Sequence, residues 1–131
     1  MRILLDTHIA LWAILSPEKL AHHVADWIID PNNSIFVSVV SLWEIAIKRS
    51  TGRQAIGDPE PAVERAASEF AATGFDLLPI SIAQLARIET MAFHHRDPFD
   101  RLMVAQAAAE GMIFLTADRQ LAAYGDPVRI V

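Results

Sequence analysis

Arg2-Ile3-Leu4-Leu5-Asp6-Thr7-His8-Ile9-Ala10-Leu11-Trp12-Ala13 opens the chain with a strand that stops on a carboxylate and passes directly into a helix. Arg2 to Leu5 is a short aliphatic run, and Ile9, Trp12, Ala13 and Leu15 then recur at helical spacing. The same succession repeats outward along the chain. Ser16-Pro17 supplies an N-cap and a proline at the first helical position, and Leu20, Val24, Trp27 and Ile28 continue on one face until Asp30-Pro31-Asn32-Asn33. Ile35 to Val39 is β-branched and aromatic and runs into Ser41-Leu42-Trp43-Glu44, a serine-x-x-glutamate helix start with Gly52 as its stop. Arg53 to Pro61, punctuated by Gly57 and Pro59, reads as a loop before an alanine-rich helix that ends at Gly74. Phe75 to Ile80 is a third strand, and Ser81 caps a helix carrying Ile82, Leu85, Ile88 and Met91. After His94-His95-Arg96-Asp97-Pro98 a further helix runs from Pro98 to Gly111. Met112 to Leu115 is the fourth strand, Asp118 to Tyr124 a short helix, and Val128 to Val131 an edge strand. Strands joined by helical crossovers predict an α/β fold with a mainly parallel four- to five-stranded sheet and helices on both faces.

Length and composition bound what such a fold can do. A chain of 131 residues fills one domain, 1–131, and is too short for two cores. The absence of cysteine excludes disulfides, thiolate zinc sites and thiol nucleophiles, and is compatible with a reducing cytosol. Ile9 to Leu15, the longest uninterrupted apolar run, falls far short of the roughly 18 residues a membrane span requires. Asp6 interrupts the start before a signal-peptide apolar region can form, so a cytoplasmic product with no membrane partner is expected. An apolar share of 53% and a mean hydropathy of +0.28 predict that part of the surface meets another chain. The formal charge of −5 argues against a general polyanion binder, unless several of the acids hold metal. With four carboxylates assigned to metal the remainder carries −5 − (−4) = −1, and bound cations reverse the sign at the site itself.

In open α/β sheets ligands bind beyond the carboxyl ends of the strands, which singles out particular acids. Asp6 directly follows the first strand and Asp118 follows the fourth; Glu44 and Asp100 lie in the first turns of helices after the second strand and after Asp97-Pro98. Each also has a plainer reading. Asp6 or Thr7 can cap the helix that follows, Glu44 fits a capping box with Ser41, Asp100 complements the dipole of a helix for which Asp97 before Pro98 is the N-cap, and Asp118 caps its own. The readings are compatible, since a carboxylate near a helix start can also bind metal. Hard divalent cations take oxygen ligands and retain waters, so a few carboxylates hold one or two ions and leave room for a phosphate. Without a cation, acids packed together would have to take up protons. The remaining alternatives are a small-molecule phosphohydrolase and a non-enzymatic binding protein whose acids are caps; no second aspartate stands two residues after Asp6 for an aspartyl-phosphate route.

Four segments carry a resemblance: Ile3-Leu4-Leu5-Asp6-Thr7-His8; Ser41 to Lys48; His95-Arg96-Asp97-Pro98-Phe99-Asp100-Arg101 on to Ala107; and Leu115-Thr116-Ala117-Asp118. In that order they resemble the motifs of PIN-domain nucleases, and Asp97-Pro98-Phe99-Asp100-Arg101 resembles the VapC-like toxins of bacterial toxin–antitoxin pairs. The resemblance implies a PIN-like fold, Mg²⁺-dependent endoribonuclease activity in which Mn²⁺ can substitute, a small antitoxin partner that blocks the site, and a homodimer. It assigns the catalytic metal-ligand role to Asp6, Glu44, Asp100 and Asp118, with Thr116 a hydroxyl beside the site, Thr7 a neighbour at the strand end, and Asp97 and Arg101 accessory residues of the third motif. Lys48, Arg49, Arg53, Arg96, Arg101 and Arg119 fall near these segments and are read as phosphate contacts or as solvated surface charge. His22 and His23 are expected on an exposed helix face, and His94 and His95 at a helix C-terminus. Trp12, Trp27 and Trp43 are expected in the core, with Trp12 and Trp27 also possible anchors for a partner.

Overall fold

Three consecutive apolar residues, Ile3, Leu4 and Leu5, can all be buried only in a strand covered on both faces, and that is the place they take. The computed structural model describes residues 1–52 and 61–131. Within them β1 (Arg2–Leu5) leads into α1 (Thr7–Leu15), followed by α2 (His22–Ile29), β2 (Ser34–Ser38) and α3 (Val39–Ser50). After the undescribed stretch come α4 (Val63–Ala72), β3 (Asp76–Leu78), α5 (Ile82–Thr90), α6 (Pro98–Glu110), β4 (Ile113–Thr116) and β5 (Val128–Ile130). Short 3₁₀ turns occupy Pro17–Lys19 and Arg119–Tyr124. Arg53, Gly57 and Pro59, and with them the reading of that stretch as a loop, lie outside the described residues.

All pairings are parallel and the strand order is β3-β2-β1-β4-β5. Strand alternation divides the core into two layers. Ile3, Leu5, Ile35, Val37 and Leu115 pack on one face against Ile9 of α1, Val24 of α2 and Phe70 of α4. Leu4 and Phe114 point the other way, to Leu102, Met103 and Ala107 of α6 and to Ile88 of α5. The chain runs outward from β1 to β3 and then places β4 on the opposite side of β1. The crossovers leaving β1 and β4 therefore diverge, and a crevice opens between their carboxyl ends. Asp6 follows one of these strands directly, and Thr116 ends the other.

Several local expectations need correcting. No helix starts at Pro17: a 3₁₀ turn gives way to Leu20 and Ala21, both extended, before α2 begins at His22. The kink lets Leu20 reach the core separately, while Val24, Trp27 and Ile28 reach it from α2. Ser16 makes no side-chain cap bond. Ser41 is no N-cap either, because α3 starts directly off β2 with Ser38 as its cap, the Ser38 Oγ accepting from Val40 N at 3.0 Å. Glu44 accordingly sits in the second turn of α3, and the capping-box reading falls. Trp12 and Trp27 pack against the core as expected, but Trp43 is 51% exposed and rests edge-on against Phe99 at 4.8 Å between ring centroids. On α5, Ile88 faces the core while Ile82 and Leu85 are exposed. No helix among the described residues is long and apolar enough to cross a membrane.

Candidate metal centre

Asp6 occupies the N-cap position of α1 without capping it; the carboxylate is left to other work. Its Oδ2 accepts from Thr116 Oγ1 at 2.6 Å, and the same Thr116 oxygen accepts from Asp118 N at 3.0 Å. One threonine thus joins the acid after β1 to the acid after β4. Glu44 is only 7% exposed, and each of its oxygens has a partner. Thr7 Oγ1, 2.8 Å from Ser41 Oγ, donates to Glu44 Oε1 at 3.0 Å; Lys48, one turn on along α3, places Nζ 2.9 Å from Oε2. A buried carboxylate needs such partners, because an uncompensated charge there would be costly.

The start of α6 carries two acids with different surroundings. Asp97 is the N-cap, its Oδ1 accepting from Phe99 N at 2.8 Å and Asp100 N at 3.3 Å, as the sequence led us to expect. Asp100, one turn along, faces the crevice. Asp118 caps the 3₁₀ turn after β4 through Oδ1, which accepts from Gln120 N at 3.0 Å. Its Oδ2 lies 2.9 Å from His95 Nε2, which is in turn 3.8 Å from Asp100 Oδ2.

Asp6, Glu44, Asp100 and Asp118 therefore line one cleft of about 730 Å³, together with His95, Lys48 and the capping Asp97. Its electrostatics are strained in a definite direction. Burial pushes the Asp100 carboxyl up to about 8, with the charges of Asp6, Asp97, Glu44 and Asp118 adding to the effect. Burial likewise raises the Asp6 carboxyl, and Glu44 adds to it, against the opposing influence of the Thr116 hydrogen bond and of His8. Carboxyls pushed upward by burial and by one another mark a cluster short of positive charge. The donor set consists of carboxylate oxygens, which fits a hard divalent cation such as Mg²⁺ or Mn²⁺.

Not every expected residue comes to the cleft. Arg101 donates through Nε to Tyr124 OH at 3.3 Å and stacks over the Phe93 ring, and it is absent from the cleft lining. Of the basic residues singled out in the sequence, Lys48 alone among those described lines the cleft. His95 is the principal residue that sequence reasoning missed. The sequence predicts it at a helix C-terminus, but α5 ends at Thr90, and the segment up to Asp97 carries the ring into the acid cluster. Its position two residues before the N-cap of α6 was the available signal. His8 also lines the cleft, and only its adjacency to Asp6 and Thr7 hinted at that.

Comparison with solved structures places this fold among known ones. A chain in the DNA-bound VapBC2 structure from Rickettsia felis superposes with a TM-score of 0.65 at 15% identity, covering 100% of this chain and 98% of that one. A chain of DNA-bound VapBC from Salmonella typhimurium gives 0.63 at 15% identity, covering 100% and 97%. VapBC-5 from Mycobacterium tuberculosis, described as a member of a family of toxin-antitoxin systems, gives 0.59 at 19%, covering 99% and 97%. Searching curated proteins by sequence finds no match. The PIN domain family signature matches residues 3–127, a span that includes Asp6, Glu44, Asp100 and Asp118, and on that match the chain belongs to the PIN domain family.

Proposed function

We propose that the protein is a Mg²⁺- or Mn²⁺-dependent endoribonuclease and the toxin of a toxin–antitoxin pair. The observation that carries the reading is the convergence of Asp6, Glu44, Asp100 and Asp118, from four separate elements, on one cleft where the Asp100 carboxyl is pushed up to about 8. A divalent ion held by these carboxylates would polarise a phosphate oxygen and lower the pKa of a water for in-line attack. The chain's own groups supply the arrangement. Thr116 holds Asp6, Thr7 and Lys48 hold Glu44, and the Asp97 cap fixes the first turn of α6 and with it Asp100. No histidine base or covalent intermediate is required. Membership of the PIN domain family supports the nuclease reading, and the likeness to chains of VapBC complexes supports an antitoxin partner. The apolar side chains of Trp43 and Ile47, exposed by 51% and 37% on the helix that carries Glu44, suit coverage by a protein partner. A homodimer belongs to the same reading and rests on the apolar composition of the chain.

The test is cleavage of a set of transfer, ribosomal and messenger RNAs by purified protein. Cleavage is expected with Mn²⁺ or Mg²⁺ and none in EDTA, with an unchanged circular dichroism spectrum. Sequence-selective cleavage that persists in EDTA, from a preparation free of contaminating nuclease, would overturn the metal mechanism.

A further inference from the structure

We propose that His95 is a positioning residue: it sets the carboxylate of Asp118 as a hydrogen-bond donor beside the metal centre and is not itself a ligand. The inference rests on the metal-site reading above. By distance alone the opposite is attractive, since ligand atoms of His95, Asp100 and Asp118 lie within 4.8 Å of one another and would make a nitrogen–oxygen set. The other ring nitrogen decides the matter. Asp97 N–H donates to His95 Nδ1 at 3.0 Å, so Nδ1 presents a lone pair and no proton. The ring proton then sits on Nε2, facing Asp118 Oδ2 at 2.9 Å, and Nε2 has no lone pair to offer a cation. Turning the ring over would exchange nitrogens for carbons and lose both contacts at once. Moving the proton to Nδ1 would set two N–H donors against each other at the turn into α6.

The consequence falls on Asp118. Its side chain is 36% exposed, the most open of the pair, whereas His95 is 11% exposed. A carboxylate that open would rotate freely after β4. Here Gln120 N holds Oδ1 and His95 Nε2–H holds Oδ2, so the plane of the carboxylate is fixed from both sides. Because the same ring accepts from the backbone of Asp97, it also ties the end of β4 to the start of α6, which carries Asp100. One imidazole thereby fixes the placement of Asp118 relative to Asp100. Hydrogen-bond partners of metal ligands typically contribute roughly 10–100-fold to metal affinity.

Mn²⁺ titration, followed by the EPR signal of the free ion, tests this on the full chain. His95→Ala is expected to fold and to bind Mn²⁺ roughly tenfold or more weakly. His95→Gln, whose amide can reach the Nε2 position, should recover most of the affinity; His95→Asn, whose amide reaches only Nδ1, should not. Those two variants keep the test intact if the alanine variant does not fold. In an Asp118→Asn background His95→Ala should add no further loss, because the ring acts through that carboxylate. Pulsed EPR of bound Mn²⁺ should show no directly coordinated ¹⁴N. Parental affinity in His95→Ala, equal affinities for the glutamine and asparagine variants, additive losses, or a coordinated ¹⁴N would each overturn the assignment while leaving the metal site standing. A parent protein that binds no Mn²⁺ would remove the metal-site reading and this inference with it.

Discussion

Asp97 and Asp100 lie one helical turn apart, and their surroundings demand different things of a negative charge. Asp97 accepts two backbone N–H bonds at the positive end of α6, where a carboxylate is stabilised. Asp100 is buried among other acids, and its carboxyl is pushed up to about 8. Asparagine caps a helix about as well as aspartate but is a poorer ligand for a hard cation. Asp97→Asn should therefore keep its stability to within about 0.5 kcal/mol and retain most activity. Asp100→Asn should melt higher than the parent in EDTA, lose the stabilisation that Mn²⁺ confers, and lose cleavage by roughly a hundredfold or more. Parallel melts and cleavage assays check both, and equal losses in the two variants would show that Asp97 is misassigned. The cap role of Asp97 was legible in the sequence because it depends on residues two and three positions away. The place of His95 was not, since its partner Asp118 lies 23 residues on and meets it only through the fold. Trp43 was misread for a related reason: an aromatic residue on a helix next to a buried Glu44 carries no local sign of which side it faces.

At the scale of elements, α3 is held by a cap that also belongs to a buried polar chain. Ser38 Oγ accepts from Val40 N and donates to Gln106 Oε1 at 2.5 Å; Gln106 Nε2 continues to Gln84 Oε1 at 3.1 Å, and Gln84 Nε2 to Glu110 Oε1 at 3.0 Å. Ser38 and Gln106 are completely buried. Ser38→Ala removes a cap, about 1 kcal/mol, and leaves the Gln106 oxygen short of a donor, about 1–3 kcal/mol more. The expected loss is about 2–4 kcal/mol, read as a lower urea midpoint at unchanged slope. Ser41→Ala should cost less, because Thr7 still donates to Glu44 without it. The reverse ranking would restore Ser41 as the cap. The serine-x-x-glutamate pattern misplaced the start of α3 because Ser38, whose Oγ caps at Val40 N, lies within the β-branched run that reads as strand, and the valines that open the helix, Val39 and Val40, are themselves β-branched. Half of the box on α5 is legible in the sequence, which predicts Ser81 as the cap; Gln84 completes it by donating its backbone N–H to Ser81 Oγ while its side chain accepts from Ser81 N.

For the whole molecule, the alternation of strands and helices was legible because it is written in periodicity, whereas the order β3-β2-β1-β4-β5 is decided by which strands can be buried on both faces. That order gathers the acids, and gathering them couples stability to pH. Free Asp carboxyls titrate near 3.8, but in the metal-free fold Asp100 holds its proton up to about 8, and Asp6 is shifted in the same direction. Between those limits the native state binds more protons than the unfolded chain. Stability must then fall as pH rises through that window. Below it both states are protonated at Asp100, and above about 8 both have released the proton, so its contribution to the slope vanishes at each end. On the proposed reading Mn²⁺ would compete with those protons for the same oxygens, so its binding to the native state would release them and gain strength as pH rises. Melting curves in EDTA should therefore drop in temperature from about pH 6 to about pH 8, while curves in saturating Mn²⁺ stay nearly level and the gap between them widens. Asp100→Asn should flatten the EDTA series by removing the principal titrating group. A parent protein that becomes more stable across this range in EDTA, or a Mn²⁺ increment that does not change with pH, would mean that the four carboxylates are not crowded as the fold places them.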